Sequence, residues 1–367
     1  MTTFEQQPSV AIADPWVGDE EKDAVERVLE SGQLAAGDVV TEFESEFADH
    51  SDCDHGVATS NGTTALHTAL HALGIGAGDT VVTTPFTFIA TANAVRMVGA
   101  EPIFADIDPE TFNLDPEAVR ERIRATDGDV DAILAVHLYG HPAPMDELTA
   151  IADEYEIPLV EDCAQAHGAR HDGRPVGSVG DVGCFSFYPT KNMTTGEGGM
   201  VVTDRDDVGD RARQFIDHGR DGHYEHVTVG HNFRLSNIAA AIGRVQLRRL
   251  PTFVEKRRAN AQRLTDVLDG SAITAPTERA DVRHAYHQYT VRTDRRDELA
   301  ERLSEFGIDT GVYYPTPVHQ QPAYDDVTCS APAAETAADE VLSLPVHPRL
   351  SARDVDALVT ALSYVKR

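Results

Sequence analysis

The sequence predicts an α/β protein with a mostly parallel central sheet that helices cover on both faces. Short apolar segments alternate with segments whose apolar residues recur every three or four positions. The first pattern is typical of buried strands, and the second of amphipathic helices. Their alternation along a chain favours a parallel sheet between two layers of helices. The pattern changes after about residue 250, which predicts a second, smaller domain.

The strands of the first domain are predicted from short apolar runs, which lie at residues 79–84, 102–106, 131–136, 157–161, 182–187 and 200–203. Between the runs, Leu66, Leu70 and Leu73 mark one helical face, and Val119 with Ile123 marks another. The sequence leaves the strand order open, and the last two strands could pair antiparallel.

The division into domains is predicted near residue 250. Residues 1–250 would form a large domain with an N-terminal arm, and residues 251–367 a smaller α+β domain. Pro251 is expected to start a long Arg-rich helix that ends near Leu268. After it we expect a strand at 287–292, a helix at 297–306, a short strand near 310–314 and two C-terminal helices.

The charge of the chain excludes several kinds of partner. There are 61 Asp and Glu residues against 31 Lys and Arg, which gives a formal net charge of -30. Such a surface repels a nucleic-acid backbone and an anionic membrane leaflet, so we expect neither as a partner. The acidic residues are spread over the chain, and lysine is rare, at positions Lys22, Lys191, Lys256 and Lys366. This pattern favours adaptation to a salt-rich cytoplasm, where counterions screen self-repulsion.

Other features of the sequence also favour a cytoplasmic protein. No apolar run is long enough to span a bilayer. Residues 1–10 contain no basic region followed by an apolar stretch, so we expect no secretory signal. The four cysteines are far apart and form no CxxC pair, which fits a reducing compartment.

The segment GVATSNGTTAL, residues 56–66, is a candidate phosphate site. A short strand passes through a glycine turn into a helix that is predicted to begin at Thr63 or Thr64. A helix N-terminus offers free N–H groups and the positive end of a dipole, which suit an anion. Thr and Asn are also ordinary residues for capping a helix, so both interpretations stay open.

Two further candidates follow predicted strands. Asp162 comes after the strand at 157–161, and ligands gather outside the carboxyl ends of strands in open α/β sheets. Its carboxylate could hold a protonated ring nitrogen, although a helix cap or a surface acid is the alternative. The segment PFTF, residues 85–88, could supply an aromatic ring that stacks on a flat cofactor, although a core role is commoner for such a residue.

Lys191 is the candidate with the most specific chemistry. It lies in SFYPTKN, residues 186–192, ahead of the glycine-rich segment 196–199. A lysine can form a Schiff base with an aldehyde cofactor, which arginine cannot do. A solvated surface lysine is the alternative, but it is less favoured in a chain that has so little lysine. Phosphate donors, an aromatic ring, a carboxylate and an imine-forming lysine are together the parts of a pyridoxal phosphate (PLP) site.

Two other patterns do not support a site. The segment HSDCDH, residues 50–55, has adjacent ligands of mixed type and no second cluster, so a polar turn is favoured and no metal is predicted. The segment GIGAG, residues 74–78, follows a helix and precedes a strand, which is the reverse of a dinucleotide-binding turn.

The chain resembles the DegT/DnrJ/StrS family of PLP-dependent sugar aminotransferases, of the fold-type I, aspartate-aminotransferase-like superfamily. The matching segments run almost from end to end and are SNGTTALHTAL, PFTFIATANAV, GAEPIFADID, HLYGHPAPMDEL, EDCAQAHGA, CFSFYPTKN, GEGGMVVT, NFRLS and SLPVHP. The resemblance implies the PLP-dependent transferase fold type I, with a large PLP-binding domain and a small C-terminal domain. It also implies amino transfer, from L-glutamate, to a UDP-, dTDP- or GDP-linked keto sugar for surface glycans.

The resemblance implies roles for individual cofactor contacts. Lys191 would hold PLP as a Schiff base and carry the proton once substrate displaces it, and Asp162 would pair with the pyridine nitrogen. The remaining contacts would be Gln165 for the ring hydroxyl, Phe88 for the ring face, and Thr63, Thr64 and Ser186 for the phosphate. Asn232 would reach the phosphate of the other subunit, in a homodimer with shared active sites.

For the substrate, the resemblance points to Arg234 across the dimer interface and to Tyr313 and Tyr314. Many relatives have His-Tyr-Pro at the latter position, where this chain has Tyr-Tyr-Pro. His319 either supplies the missing contact or only packs against the loop.

Two alternatives to this function remain. One is amino transfer to another ketone, such as a cyclitol, and the other is a PLP-binding regulator without turnover. The family's dehydratase branch, which has histidine in place of the lysine, is disfavoured because this chain has Lys191.

Overall fold

A computed structural model describes residues 10–222 and 224–366 of the chain. The expectation about a secretory signal therefore lies, apart from Val10, outside the described residues. In the described part, none of the helices has the length and apolar character needed to cross a membrane. The four cysteines are all free thiols.

Helices and strands alternate over the first part of the chain, as the sequence predicts. The α-helices are α1 (Asp19–Ser31), α2 (Asp38–Ser51), α3 (Gly62–Leu73), α4 (Ala90–Met97), α5 (Pro116–Ala125), α6 (Met145–Tyr155), α7 (Asp206–Ile216), α8 (Asn237–Leu268), α9 (Arg296–Glu305), α10 (Pro332–Glu340) and α11 (Ala352–Val365). The strands are β1 (His55–Thr59), β2 (Thr80–Thr83), β3 (Glu101–Phe104), β4 (Ala132–Val136), β5 (Leu159–Asp162), β6 (Arg170–His171), β7 (Arg174–Pro175), β8 (Val182–Ser186), β9 (Gly199–Thr203), β10 (Arg220–Asp221), β11 (Glu225–His226), β12 (Val282–Arg283), β13 (Tyr289–Arg292) and β14 (Val341–Leu344). Single turns of 3₁₀ helix lie at Leu138–Gly140, Val318–Gln320 and Pro322–Tyr324.

The central sheet has seven strands in the order β1-β9-β8-β5-β4-β2-β3. Strands β3, β2, β4, β5 and β8 pair in parallel, whereas β9 is antiparallel to both β8 and β1. This confirms the mostly parallel sheet and settles the pairing of the last two predicted strands as antiparallel. The carboxyl ends of the parallel strands therefore meet at one edge of the sheet.

Both faces of the sheet are covered by apolar side chains. Leu66 and Leu70 of α3 are buried against one face, together with residues of β2, β4, β5 and β8. Val119 and Ile123 of α5 are fully buried against the other face. The predicted helical faces are thus confirmed, and the parallel strands are buried on both sides, as is usual for such strands.

The long helix does not begin at Pro251. It begins at Asn237, where the hydroxyl of Ser236 accepts the N–H of Ala239, and it runs through the proline. Proline usually ends or kinks a helix because it lacks an N–H donor. Here Leu250 and Phe253 are buried on either side of it, so packing holds both halves in place. The predicted domain boundary at 250/251 falls inside this helix.

The short strand expected near 310–314 is absent from the described chain. Within this segment only Gly311 forms an isolated backbone bridge, to Ser343. The carbonyl of Tyr313 accepts a hydrogen bond from the hydroxyl of Tyr139 and does not pair with a neighbouring strand. Strand β13 pairs with β14, and the sequence pattern does not predict β14.

Candidate active site

A cavity of about 750 Å³ opens at the carboxyl edge of the parallel strands. Its size falls within the range of ligand and cofactor sites. The residues that the sequence singles out and that line it are Thr63, Thr64, Phe88, Asp162, Gln165, Ser186, Lys191, Tyr313 and Tyr314. Side chains far apart in sequence therefore converge because strand ends share one edge of the sheet.

Asp162 lies at the end of β5 and is only 5% exposed. Its Oδ2 accepts a hydrogen bond from the hydroxyl of Thr91 at 2.8 Å, and its Oδ1 accepts one from the N–H of Ala164 at 3.1 Å. Burial nevertheless raises the pKa of Asp162 above its usual value. These two hydrogen bonds do not offset the desolvation of the carboxylate, and a cationic group bound in the cavity would offset it.

Lys191 lies in the turn after β8, where its backbone N–H donates to the carbonyl of Tyr188 at 2.9 Å. Desolvation lowers the pKa of its amine to about 8, and the attraction of Asp162 partly opposes this shift. A neutral amine is required for Schiff-base chemistry. At pH 7 about a tenth of the amine is then in the reactive form, far more than for an ordinary lysine.

The predicted phosphate end is formed by the start of α3 and the end of β8. Asn61 caps the helix, because its Oδ1 accepts the N–H of Thr64 at 3.0 Å while the hydroxyl of Thr64 accepts the N–H of Asn61 at 3.1 Å. The helix begins at Gly62, slightly earlier than predicted. A Cβ atom at Gly62 would come within 2.6 Å of the Cβ of Ser186, so only glycine lets the helix start approach the strand end. The result is a cradle for an anion at the positive end of a helix.

Gln165 and Phe88 lie on other walls of the cavity. The Oε1 of Gln165 accepts the N–H of Tyr139 at 2.8 Å, and its Nε2 donates to the hydroxyl of Tyr314 at 3.0 Å. This fixes the amide beside the cavity. The ring of Phe88 lies 6.0 Å from that of Tyr314 and is 54% exposed. An exposed aromatic ring inside a cavity is suited to stacking on a ligand.

Asn232, Arg234 and His319 do not line this cavity. Asn232 forms a backbone bridge to Asp217, and Arg234 forms an ion pair with the same residue. Their contacts with the other subunit remain a prediction. The ring of His319 is buried and its Nε2 pairs with Glu335 at 3.1 Å, while its contact with a substrate stays a prediction.

Thr91 and His287 belong to the site although no sequence pattern marks them for it. Thr91 is oriented by the hydroxyl of Thr87, at 2.9 Å, and holds Asp162. The four-residue spacing of Thr87 and Thr91, whose hydroxyls meet at the start of α4, is a signal that could have identified the pair. His287 lines the cavity with Lys191, and burial lowers the pKa of its imidazole well below the usual value.

The family model of the DegT/DnrJ/EryC1/StrS aminotransferase family matches residues 15–363. The chain belongs to this family. It is therefore an aminotransferase of the PLP-dependent fold type I, and the residues of the cavity fit that cofactor. A buried carboxylate, an anion cradle and an amine are the kinds of group that a pyridinium, a phosphate and an aldehyde require as partners.

Two of the curated relatives are named for different nucleotide-linked sugars. The dTDP-3-amino-3,4,6-trideoxy-alpha-D-glucose transaminase of Streptomyces venezuelae is 42% identical over 89% of this chain and 87% of its own. The UDP-2-acetamido-2-deoxy-3-oxo-D-glucuronate aminotransferase of Pseudomonas aeruginosa is 38% identical over 92% and 94%. A pleiotropic regulatory protein of Geobacillus stearothermophilus is 41% identical over 89% of each chain.

Solved structures of aminotransferases share the fold over almost the whole chain. DesV of S. venezuelae, in complex with a ketimine intermediate, superposes with a TM-score of 0.91, at 41% identity and 94% coverage of each chain. The PLP form of Spr1654 from Streptococcus pneumoniae gives a TM-score of 0.92 at 26% identity, and covers 98% of this chain and 99% of that one.

Proposed function

We propose that the protein transfers an amino group from L-glutamate to a nucleotide-linked keto sugar, in the synthesis of amino sugars for surface glycans. The observation that carries the proposal is the convergence of Lys191 and Asp162 in one cavity that has room for a cofactor and a sugar. Relatives named for dTDP- and UDP-linked sugars support this substrate class.

The residues that would hold PLP follow from the geometry of the cavity. The start of α3 with Thr63, together with Ser186, would hold the phosphate, and Phe88 would cover the ring. When bound, the cofactor supplies an aldehyde for the amine and an electron sink for the carbon that loses a proton. Asp162 would keep the ring nitrogen protonated, because an adjacent carboxylate stabilises the cationic form.

Lys191 would act as the proton carrier of the reaction. Its amine has a pKa of about 8, so near neutral pH it can both accept a proton from a substrate carbon and return one to a neighbouring carbon. Tyr313 and Tyr314 also line the cavity and would contact the sugar. His287 lines the same cavity, where burial and then the charge of Lys191 lower the pKa of its imidazole.

A homodimer with shared sites would complete the cavity. Asn232 would reach the phosphate of the other subunit, and Arg234 its nucleotide sugar. Asn232 and Arg234 are the chain neighbours of Phe233. Phe233 lines the cavity, so these two residues lie at the margin of the cavity. If they act across the interface, mixing inactive Lys191→Ala and Arg234→Ala dimers should restore about a quarter of the sites by random exchange. Mixed dimers without recovered activity would exclude this arrangement.

We also propose that the enzyme works in a salt-rich cytoplasm. The net charge of -30 and the scarcity of lysine support this, because self-repulsion of the surface requires screening. Activity and the unfolding temperature should rise together as KCl is raised to molar concentrations. Full activity and stability in dilute buffer would contradict the adaptation.

The substrate class is tested by incubating the holoenzyme with L-glutamate and, separately, with UDP-, dTDP- and GDP-linked keto sugars, and by detecting amino sugars by mass spectrometry. One of these sugars should be aminated. Turnover of a cyclitol ketone alone would assign the enzyme to another branch of the family. The relative named as a regulatory protein favours a second candidate, a regulator without turnover, which a lack of turnover with any ketone would support.

A further inference from the structure

A second, small cavity shares part of its wall with the active-site cavity. Lys191 and His287 line both of them. The other walls of the small cavity are residues 12–16, one side of α8, and the segment at His347 and Pro348. Its volume is about 20 Å³, which is room for one group of about the size of a water molecule.

Arg257 of α8 lines this small cavity and is only 5% exposed. Its Nη1 donates to the carbonyls of Tyr286 and His287, at 3.1 and 3.2 Å. Its Nε is buried and has no partner among the described residues, and none of their carboxylates forms an ion pair with the guanidinium. Burial lowers the pKa of Arg257 to about 9. A buried charge without a counter-charge is costly, so this one calls for a partner.

Two imidazoles around the small cavity do not neutralise the charge of Arg257. The Nδ1 atoms of His287 and His347 are buried and lack partners among the described residues. Burial, followed by the charges of Lys191 and Arg257, lowers the pKa of His287, and burial followed by Arg257 lowers that of His347.

An acid and an amide of the same lining do not neutralise this charge. Asp14 lines the cavity, but its side chain is 43% exposed and pairs with Arg349 at 2.9 Å. The Oδ1 of Asn192 is buried without a partner among the described residues, and it is an acceptor without a net charge. The described lining thus contains more positive than negative charge beside Lys191.

We propose that the small cavity binds one halide-sized anion, held by the Nε–H of Arg257, with chloride as the cellular ligand. The volume of about 20 Å³ favours a single heavy atom over phosphate, sulfate or the carboxylate of a substrate, which have several. A water molecule fits the space but leaves the guanidinium without a counter-charge. Chloride fits the space and supplies the counter-charge, and its position lies beside Lys191.

Crystals of the holoenzyme grown or soaked in bromide test the site directly. We expect an anomalous bromide peak in the small cavity, at hydrogen-bond distance from the Nε of Arg257. Anomalous peaks at other surface positions together with only a water-sized, non-anomalous peak in the small cavity would overturn the proposal.

Unfolding in two salts gives a solution test of the same site. At constant ionic strength, KCl is replaced by potassium gluconate, whose anion is too large for the cavity. The wild-type unfolding temperature should be higher in chloride by about 1–3 °C. Arg257→Met should lose this difference, because its side chain carries no donor.

The neighbouring Arg258 provides a matched control. It lies on the same helix, pairs with Glu278 and does not line the small cavity. Arg258→Met should keep the full chloride response even if its stability falls. A response to chloride that persists unchanged in Arg257→Met would contradict the assignment. If that variant does not fold, the bromide peak in the wild-type protein decides.

Discussion

The hydroxyl of Thr91 lies 2.8 Å from the Oδ2 of Asp162 and donates a hydrogen bond to it. Thr91 lies in the first turn of α4, the helix that follows β2, whereas Asp162 ends β5, so the bond joins two elements across the carboxyl edge of the sheet. Burial disfavours the charged form of this carboxylate, and the hydrogen bond from Thr91 stabilises that form. The partner proposed for the cofactor nitrogen is therefore positioned by a residue outside the EDCAQ segment.

Thr91→Val should weaken the enzyme without unfolding it. Valine has nearly the same shape but no hydroxyl, so the pKa of Asp162 should rise further and its hold on a protonated ring nitrogen should decrease. We expect PLP affinity and kcat/KM to fall by about tenfold each, from the loss of one hydrogen bond to a charged group. Thr91→Ser, which keeps the hydroxyl, is the control and should stay close to the wild type.

Asp162→Asn should have opposite effects on the apoprotein and the holoenzyme. Because the pKa of Asp162 is raised in the folded chain, the folded state binds this proton more tightly than the unfolded state. The carboxylate therefore lowers stability as pH rises from about 4 through the raised pKa. Above this window, cofactor-free Asp162→Asn should be more stable in urea than the wild type, while its PLP affinity falls. An apoprotein that is less stable than the wild type at neutral pH would contradict this account.

Gly62→Ala should damage the phosphate cradle. The new Cβ would lie 2.6 Å from the Cβ of Ser186, so the start of α3 and the end of β8 must separate. PLP affinity should fall by at least about tenfold, since the donors at the helix start would no longer converge. Gly76→Ala is a matched control, because a Cβ there meets only the carbonyl of Val98, at 3.8 Å. Equal PLP affinity in the two variants, measured by fluorescence titration, would refute the role of Gly62.

The amine of Lys191 should titrate near pH 8 in the apoprotein. Its pKa is lowered, so the neutral form appears as pH rises through 8 rather than through the usual value near 10.4. The rate at which the apoprotein forms its absorbing complex with added PLP should increase over this range. Removing the attraction of the carboxylate with Asp162→Asn should move the inflection to lower pH. An inflection near the ordinary lysine value would exclude the desolvated position.

The sequence predicts the parallel sheet and the central residues of the site because both depend on local patterns. Short apolar runs mark β2, β3, β4, β5, β8 and β9 within two residues of their bounds. Asp162 and Lys191 follow such runs and reach the same edge for that reason.

Other features depend on contacts that are distant in the chain. Pro251 continues a helix because Leu250 and Phe253 are buried around it, and β14 forms because β13 lies beside it. Thr91 can be assigned to the site only when its distance to Asp162 is known. The pairing of His319 with Glu335 is likewise visible only in the folded chain. The charge of Arg257 is found to lack a counter-charge only when its buried surroundings are visible.

Lys191→Arg tests the imine-forming role with the charge preserved. Arginine keeps a cation at this position but cannot deprotonate or form a reversible imine. Transamination should fall by about 10³-fold or more, and the bound cofactor should show the spectrum of free aldehyde. Amino transfer at the native rate would show that Lys191 is not the reactive amine.

The most direct measurement is a single half-reaction of the PLP-loaded enzyme with L-glutamate in high salt, without a sugar substrate. The proposed function predicts conversion of the cofactor spectrum to the pyridoxamine phosphate form, with one 2-oxoglutarate released for each active site. Addition of the correct nucleotide-linked keto sugar should then restore the PLP spectrum. Firmly bound PLP that releases no 2-oxoglutarate with glutamate would contradict the glutamate-dependent transaminase that we propose.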